Sequence, residues 1–158
     1  MLSQMQRLTT AAEGRYATDE ELRFLPEYLR SYELRMQTYQ QLQKSEITIL
    51  KQVFSTVMQQ APELFSKAQP EQLKHCQQDT LQTLRYCAAA MLVNDADTLR
   101  ERYLLWLQTI VRAFDKQHSN DLLYTAMQQA VKQHLSAAQA DLIVPLIQDI
   151  HLMLSATA

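Results

Sequence analysis

An all-α fold is predicted by three features of the sequence. One glycine and four prolines in 158 residues leave few turn formers, and the abundance of Gln, Leu, Ala and Met favours helix over sheet. Apolar residues recur at spacings of three to five through long blocks of the chain, as the buried stripe of a helix does. No window alternates with a period of two, and no internal repeat or low-complexity tract interrupts the pattern. The expectation is six to eight helices in one domain spanning residues 1–158, a length that buries most of its unfolded apolar surface in a single core.

Residues 1–13, at the start of the chain, are polar with apolar positions at Leu2, Met5 and Leu8, which suits a short arm or amphipathic helix, and Gly14 marks a break. Thr18-Asp-Glu-Glu21 has the form of a capping box, a hydroxyl for the first free amides and a glutamate reaching back. Behind it Leu22, Leu25, Leu29, Tyr32, Met36 and Tyr39 form a helical stripe, which Pro26 is expected to kink or divide. Ile47, Leu50, Val53, Phe54, Val57 and Met58 continue the apolar face until Ala61-Pro62 ends it. After a polar link at 66–70, the stretch Glu71–Asp95 contains neither proline nor glycine and reads as a long central helix. Leu99, Tyr103, Trp106, Leu107, Ile110, Val111 and Phe114 make the next one, with Tyr103 and Trp106 expected in the core. Asp115 to Asp121 reads as a loop before a helix through Leu122, Leu123, Met127, Val131 and Leu135. Ser136-Ala-Ala-Gln139 caps the last helix, which carries Leu142, Leu146, Ile150 and Leu154 and is expected to bend at Pro145.

Composition narrows the function. The formal net charge of −2 gives no electrostatic reason to expect nucleic acid or an anionic membrane as partner. No apolar run approaches membrane-spanning length and no signal-peptide pattern opens the chain, so a soluble intracellular protein without membrane insertion is expected. Cys76 and Cys87 are eleven residues apart on one helix, separated by about 16 Å along its axis, too far to pair. Together with His75, His118, His134 and His151 they form no zinc pattern, and no structural metal is expected. Haem would need an axial ligand in the core, and none of the four histidines is well placed for it. His75 adjoins Cys76 on a helix, where neighbours diverge, so no Cys-His pair is assembled and no enzyme is predicted. The acids Glu20, Glu21, Asp95 and Asp97 read as helix starts, where negative charge suits the dipole.

The central helix holds the chemistry. Leu73, Cys76, Leu81, Leu84, Ala88, Met91 and Leu92 form its apolar stripe. Cys76 and Asp79 are neighbours on one face, while Arg85 lies nine residues past Cys76 and points to another surface. Taken singly these residues have plainer readings. Free cysteine is among the most buried residue types, and a lone Asp or Arg on a helix is usually a solvated one.

The order of the motifs resembles the phycobiliprotein family, the allophycocyanin and phycocyanin subunits of cyanobacterial light harvesting. The likeness runs from Ala12-Glu-Gly-Arg15-Tyr16 through Thr18-x-x-Glu21-Leu22, Ser31-x-Glu33-x-Arg35 and Ile49-Leu50-Lys51-Gln52 to Pro62. It is closest at Cys76-x-x-Asp79, Leu84-Arg85-Tyr86 and Ala90-Met91-Leu92-Val93-x-Asp95. The resemblance implies a globin-like helical domain preceded by an N-terminal helical hairpin that packs against a partner subunit. It implies a linear tetrapyrrole, phycocyanobilin-like, attached by thioether at Cys76, with Asp79 accepting bonds from the pyrrole nitrogens. Arg85 matches the arginine that meets an acid on the partner's N-terminal segment. A thiolate is a fitting nucleophile toward an ethylidene or vinyl group, and a carboxylate one turn on can hold several N–H donors.

The departures define the alternative. Gln78 stands where the family has an arginine for a bilin propionate, and Lys74 is the substitute cation. Gln82-Thr83 replaces an aromatic pair, the segment 63–75 is short, and Ala11 occupies the acidic partner-contact position. Two functions are therefore carried forward. The first is a bilin-binding subunit with Cys76, Asp79, Lys74 and Gln78 as its site. The second is a chromophore-free interaction protein in phycobilisome or photosystem assembly, repair or turnover. Either implies a homodimer or a related subunit as partner through the hairpin, where Tyr28, Tyr32 and Tyr39 are candidate anchors. Phycobilisome or photosystem proteins are the further partners, and the cytoplasm or the cytoplasmic face of thylakoids is the expected place.

Overall fold

The computed structural model describes residues 1–66, 69–113 and 117–155, and every regular element among them is helical. The N-terminal arm is the amphipathic helix α1 (Leu2–Ala11), which buries no residue. Gly14 turns the chain with φ +74°, and the Arg15 guanidinium braces that turn by donating to the Ala11 carbonyl and forking onto the Glu21 carboxylate. The capping box forms as expected at α2 (Asp19–Leu22): the Glu21 amide donates to the Thr18 hydroxyl and the Thr18 amide to the Glu21 carboxylate.

Pro26 divides the helix upstream of itself. It has no N–H for the Leu22 carbonyl, so α2 stops and α3 (Phe24–Gln60) begins one residue later, with Pro26 in its first turn. The first half of the stripe in α3 faces outward, since Leu29 is 70 % and Tyr32 45 % exposed. Burial begins at Arg35 and Thr38 and continues through Leu42, Ile49, Val53, Phe54 and Val57. After the short α4 (Glu63–Ser66), α5 (Pro70–Leu92) opens with proline in its first turn, and the Gln69 amide donates to the Gln72 side chain. It closes three residues before Asp95, because Asn94 turns left-handed at φ 50° and Asp95 becomes the cap of α6 (Ala96–Leu99), accepting from the Thr98 amide at 3.2 Å.

A π-helical segment, Arg100–Leu104, joins α6 to α7 (Leu105–Ala113). It corrects one expectation: Tyr103 is buried as predicted, but Trp106 is 59 % exposed. Helix α8 (Gln117–His134) corrects another, because residues 117–121 of the expected loop are its first turns; the rest of that loop, 115–116, lies outside the described residues. In α9 (Ala137–Ser155) the Ser136–Gln139 cap forms and the helix runs on through Pro145. Three four-residue helices, α2, α4 and α6, bring the described α-helices to nine rather than six to eight.

One buried cluster gathers Val53 and Val57 of α3, Cys87 and Met91 of α5, Met127 and Val131 of α8 and Ile143, Ile147, Ile150 and Leu154 of α9. Helix α8 packs on α9 and α3, and α5 lies across α3 and α9. The arm α1 folds back over α6, where the Ser3 amide and hydroxyl donate to the Asp95 carboxylate at 2.7 and 2.5 Å and Arg7 bonds Asp97 at 3.0 Å.

Candidate functional site

Helix α5 carries the site along its length. Cys76 is half-buried, packed on one side against the core cluster, and Asp79, one turn further, is exposed. Neither Cys76 nor Cys87 is in a disulfide. The two thiols differ sharply: Cys87 is sealed in the core, where burial pushes its thiol far up, so it stays protonated and inert. Lys74 and Gln78 are both exposed. Being four apart they share a face, but that face is about half a rotation from Cys76, so the helix does not bring them to the thiol and Asp79.

Beneath Asp79 lies a buried hydroxyl chain. Thr83 donates to the Asp79 carbonyl at 2.9 Å, and its oxygen meets the hydroxyls of Tyr103 at 2.6 Å and Tyr124 at 3.5 Å. Burial drives the Tyr103 hydroxyl up to about 12, against the opposing bond from Thr83, so it stays protonated as a donor. The Tyr103 ring in turn stacks under Tyr86 at 4.3 Å, and Trp106 leans on it at 6.4 Å. These contacts were not foreseen from the sequence. The only signal was a threonine replacing an aromatic residue at 83, which leaves room for a ring from another element.

Arg85 meets an acid of its own chain. Its guanidinium forks onto Glu46 of α3 at 2.9 and 2.6 Å, and that bonding holds the Glu46 carboxyl below its ordinary value. A cavity of about 210 Å³ opens beside the pair, lined by Tyr39, Leu42, Gln43, Leu84 and Ala88. The histidines stand apart from α5's cysteine face. His75 is exposed, His134 bonds Gln52 at 3.0 Å, and His151 bridges Asp121 at 2.6 Å and Gln128 at 3.2 Å. The side chain of His118 lies outside the described residues. Among the described residues no group of three His, Cys, Asp or Glu is arranged to hold a metal, and no helix is long and apolar enough to cross a membrane.

A helical globin-like core, led by the arm α1 and the capped turn α2 and crossed by a helix with a half-buried cysteine, defines the class. The family model described as phycobilisome protein matches residues 8–153, nearly the whole chain, and the protein belongs to that family. No curated protein matches the chain.

Proposed function

We propose that this phycobilisome-family protein is a pigment-carrying subunit with a linear tetrapyrrole joined to Cys76. The observation that carries the reading is the contrast between its two thiols: Cys76 is partly accessible beside an exposed Asp79, whereas Cys87 is sealed. The donor set suits the group. A bound linear tetrapyrrole supplies an ethylidene carbon for attack and a conjugated system that absorbs visible light. Cys76 would hold it through one S–C bond made at the expense of the exocyclic double bond, with the thiol proton going to the adjacent carbon, so that no oxidant would be needed. Asp79 accepts the inner N–H donors and balances the charge of a protonated pigment. Lys74 and Gln78 meet propionates only from the solvent side. The exposed Leu29 and Tyr32 of α3 favour pairing with a second copy or a related subunit through the N-terminal segment, in the cytoplasm or at the cytoplasmic face of thylakoids.

The test is the visible spectrum of protein co-expressed with a phycocyanobilin supply and attachment enzymes. A band that survives denaturation in the wild type and vanishes in Cys76→Ala is expected. The second reading, a chromophore-free interaction protein of phycobilisome or photosystem assembly, repair or turnover, is favoured by Gln78 in the arginine's place and by the Arg85–Glu46 pair closed within the chain. Colourless wild-type protein, with attachment verified on a control subunit, would overturn the pigment reading and leave the interaction protein as the working answer.

A further inference from the structure

We infer that Tyr86 and Trp106, braced by Tyr103, form an aromatic seat on which the far part of the pigment stacks, standing in for an arginine–propionate contact. The inference rests on the pigment reading above. Asp79 and Tyr86 are seven residues apart on α5, hence within about 20° of one face and about 10 Å apart along the axis. Cys76 is about 15 Å from Tyr86 along the same axis. A long flat ligand tethered at Cys76 and running past Asp79 toward the C-terminal end of α5 therefore reaches Tyr86, with Trp106 approaching from α7.

The seat is rigid and open. Tyr103 is buried, its hydroxyl fixed on Thr83 at 2.6 Å, and Thr83 is fixed on the Asp79 carbonyl. Its ring backs Tyr86 with 26° between planes and Trp106 with 40°. Yet Tyr86 is 42 % and Trp106 59 % exposed. Two aromatic side chains that each touch a buried ring and yet stay substantially exposed offer stacking area at reduced ordering cost. Planar conjugated ligands are what such a surface takes. An apolar partner surface would need no carboxylate in line with the rings.

The experiment uses full-length Cys76→Ala protein titrated with free phycocyanobilin and read by absorbance. Adding Trp106→Leu or Tyr86→Leu is expected to weaken binding by about tenfold, the scale of one aromatic contact. Trp106→Phe retains most of the affinity and Leu152→Ala, an exposed apolar residue on α9, all of it. In protein with Cys76 intact, Trp106→Leu leaves attachment in place but lowers the fluorescence yield. Unchanged affinity and yield in both leucine variants, with a covalent band present, would overturn the aromatic seat and leave the pigment reading standing. No pigment bound by any of these proteins would overturn both.

Discussion

The two halves of α5 are held in opposite ways. From Thr80 onward the helix is fastened at every turn. Buried Arg35 donates to the Met91 carbonyl at 2.5 Å, to Asn94 at 3.1 Å and to Ser31 at 2.9 Å, and the Tyr28 hydroxyl donates to the Leu92 carbonyl at 3.1 Å. Asp95 gathers Ser3 and Thr98 just beyond, and Arg85 is forked to Glu46. From Pro70 to Asp79, by contrast, Lys74, His75, Gln78 and Asp79 are exposed, and only Leu73, Cys76 and Gln77 are partly covered. The last carbonyls of a helix have no partners within it, so a buried C-terminal end demands donors from outside. Arg35 and Tyr28 supply two of them, on Met91 and Leu92, beside the amides of Val93, Asn94 and Asp95 from the turn that follows. A helix anchored at that end can leave its other half open without losing its orientation.

The largest expected effect comes from breaking the anchor. Arg35→Met removes three hydrogen bonds and leaves the Met91 carbonyl with the Asn94 amide at 3.2 Å alone, at a cost of about 3 kcal/mol in urea unfolding. Asp95→Asn is next. Burial alone would raise the Asp95 carboxyl, but bonds from the Ser3 side chain and amide and the Thr98 amide, with the nearby α-amino group, bring it down to about 2. A depressed carboxyl stabilises above its unfolded value and loses that stability as pH falls. The wild type should therefore exceed Asp95→Asn by about 2 kcal/mol at pH 6, and the gap should close as pH falls from about 4 toward 2, read as melting temperature against pH. Smallest is Arg85→Gln: Arg85 is 60 % exposed, and losing an exposed pair costs about 0.5 kcal/mol or less. A cost above about 2 kcal/mol there would mean that the Glu46 pair is itself part of the anchor.

The fold was legible where local chemistry decides it. The boxes at Thr18–Glu21 and Ser136–Gln139 and the stripes of α5 and α8 stand where periodicity and side-chain oxygens put them, whereas in α9 Ile150 and Leu154 are buried as expected but Leu142 and Leu146 are half-buried and Ile143, Val144 and Ile147 fill the core. Trp106 was misplaced because a π-helical turn adds a residue per turn and rotates the residues after it; Tyr103 goes in and Trp106 comes out. The run at 117–121 looked like a loop because it is polar, although the opening of a helix tolerates the same residues. Cys76 and Cys87 lie on nearly one face, eleven positions being close to three whole turns. Periodicity alone therefore cannot tell them apart; packing of the far half of α5 under α3 and α9 seals only the second. Arg35's grip on Met91, reached across 56 positions of chain, had no local signature.

The most direct measurement is a tryptic map of protein produced with phycocyanobilin and attachment enzymes. Cleavage after Lys74, Arg85 and Arg100 places Cys76 in the peptide His75–Arg85 and Cys87 in Tyr86–Arg100. Visible absorbance and the added pigment mass on His75–Arg85, with Tyr86–Arg100 unmodified, is the predicted result. Pigment on the Cys87 peptide, or no added mass on either, would contradict it.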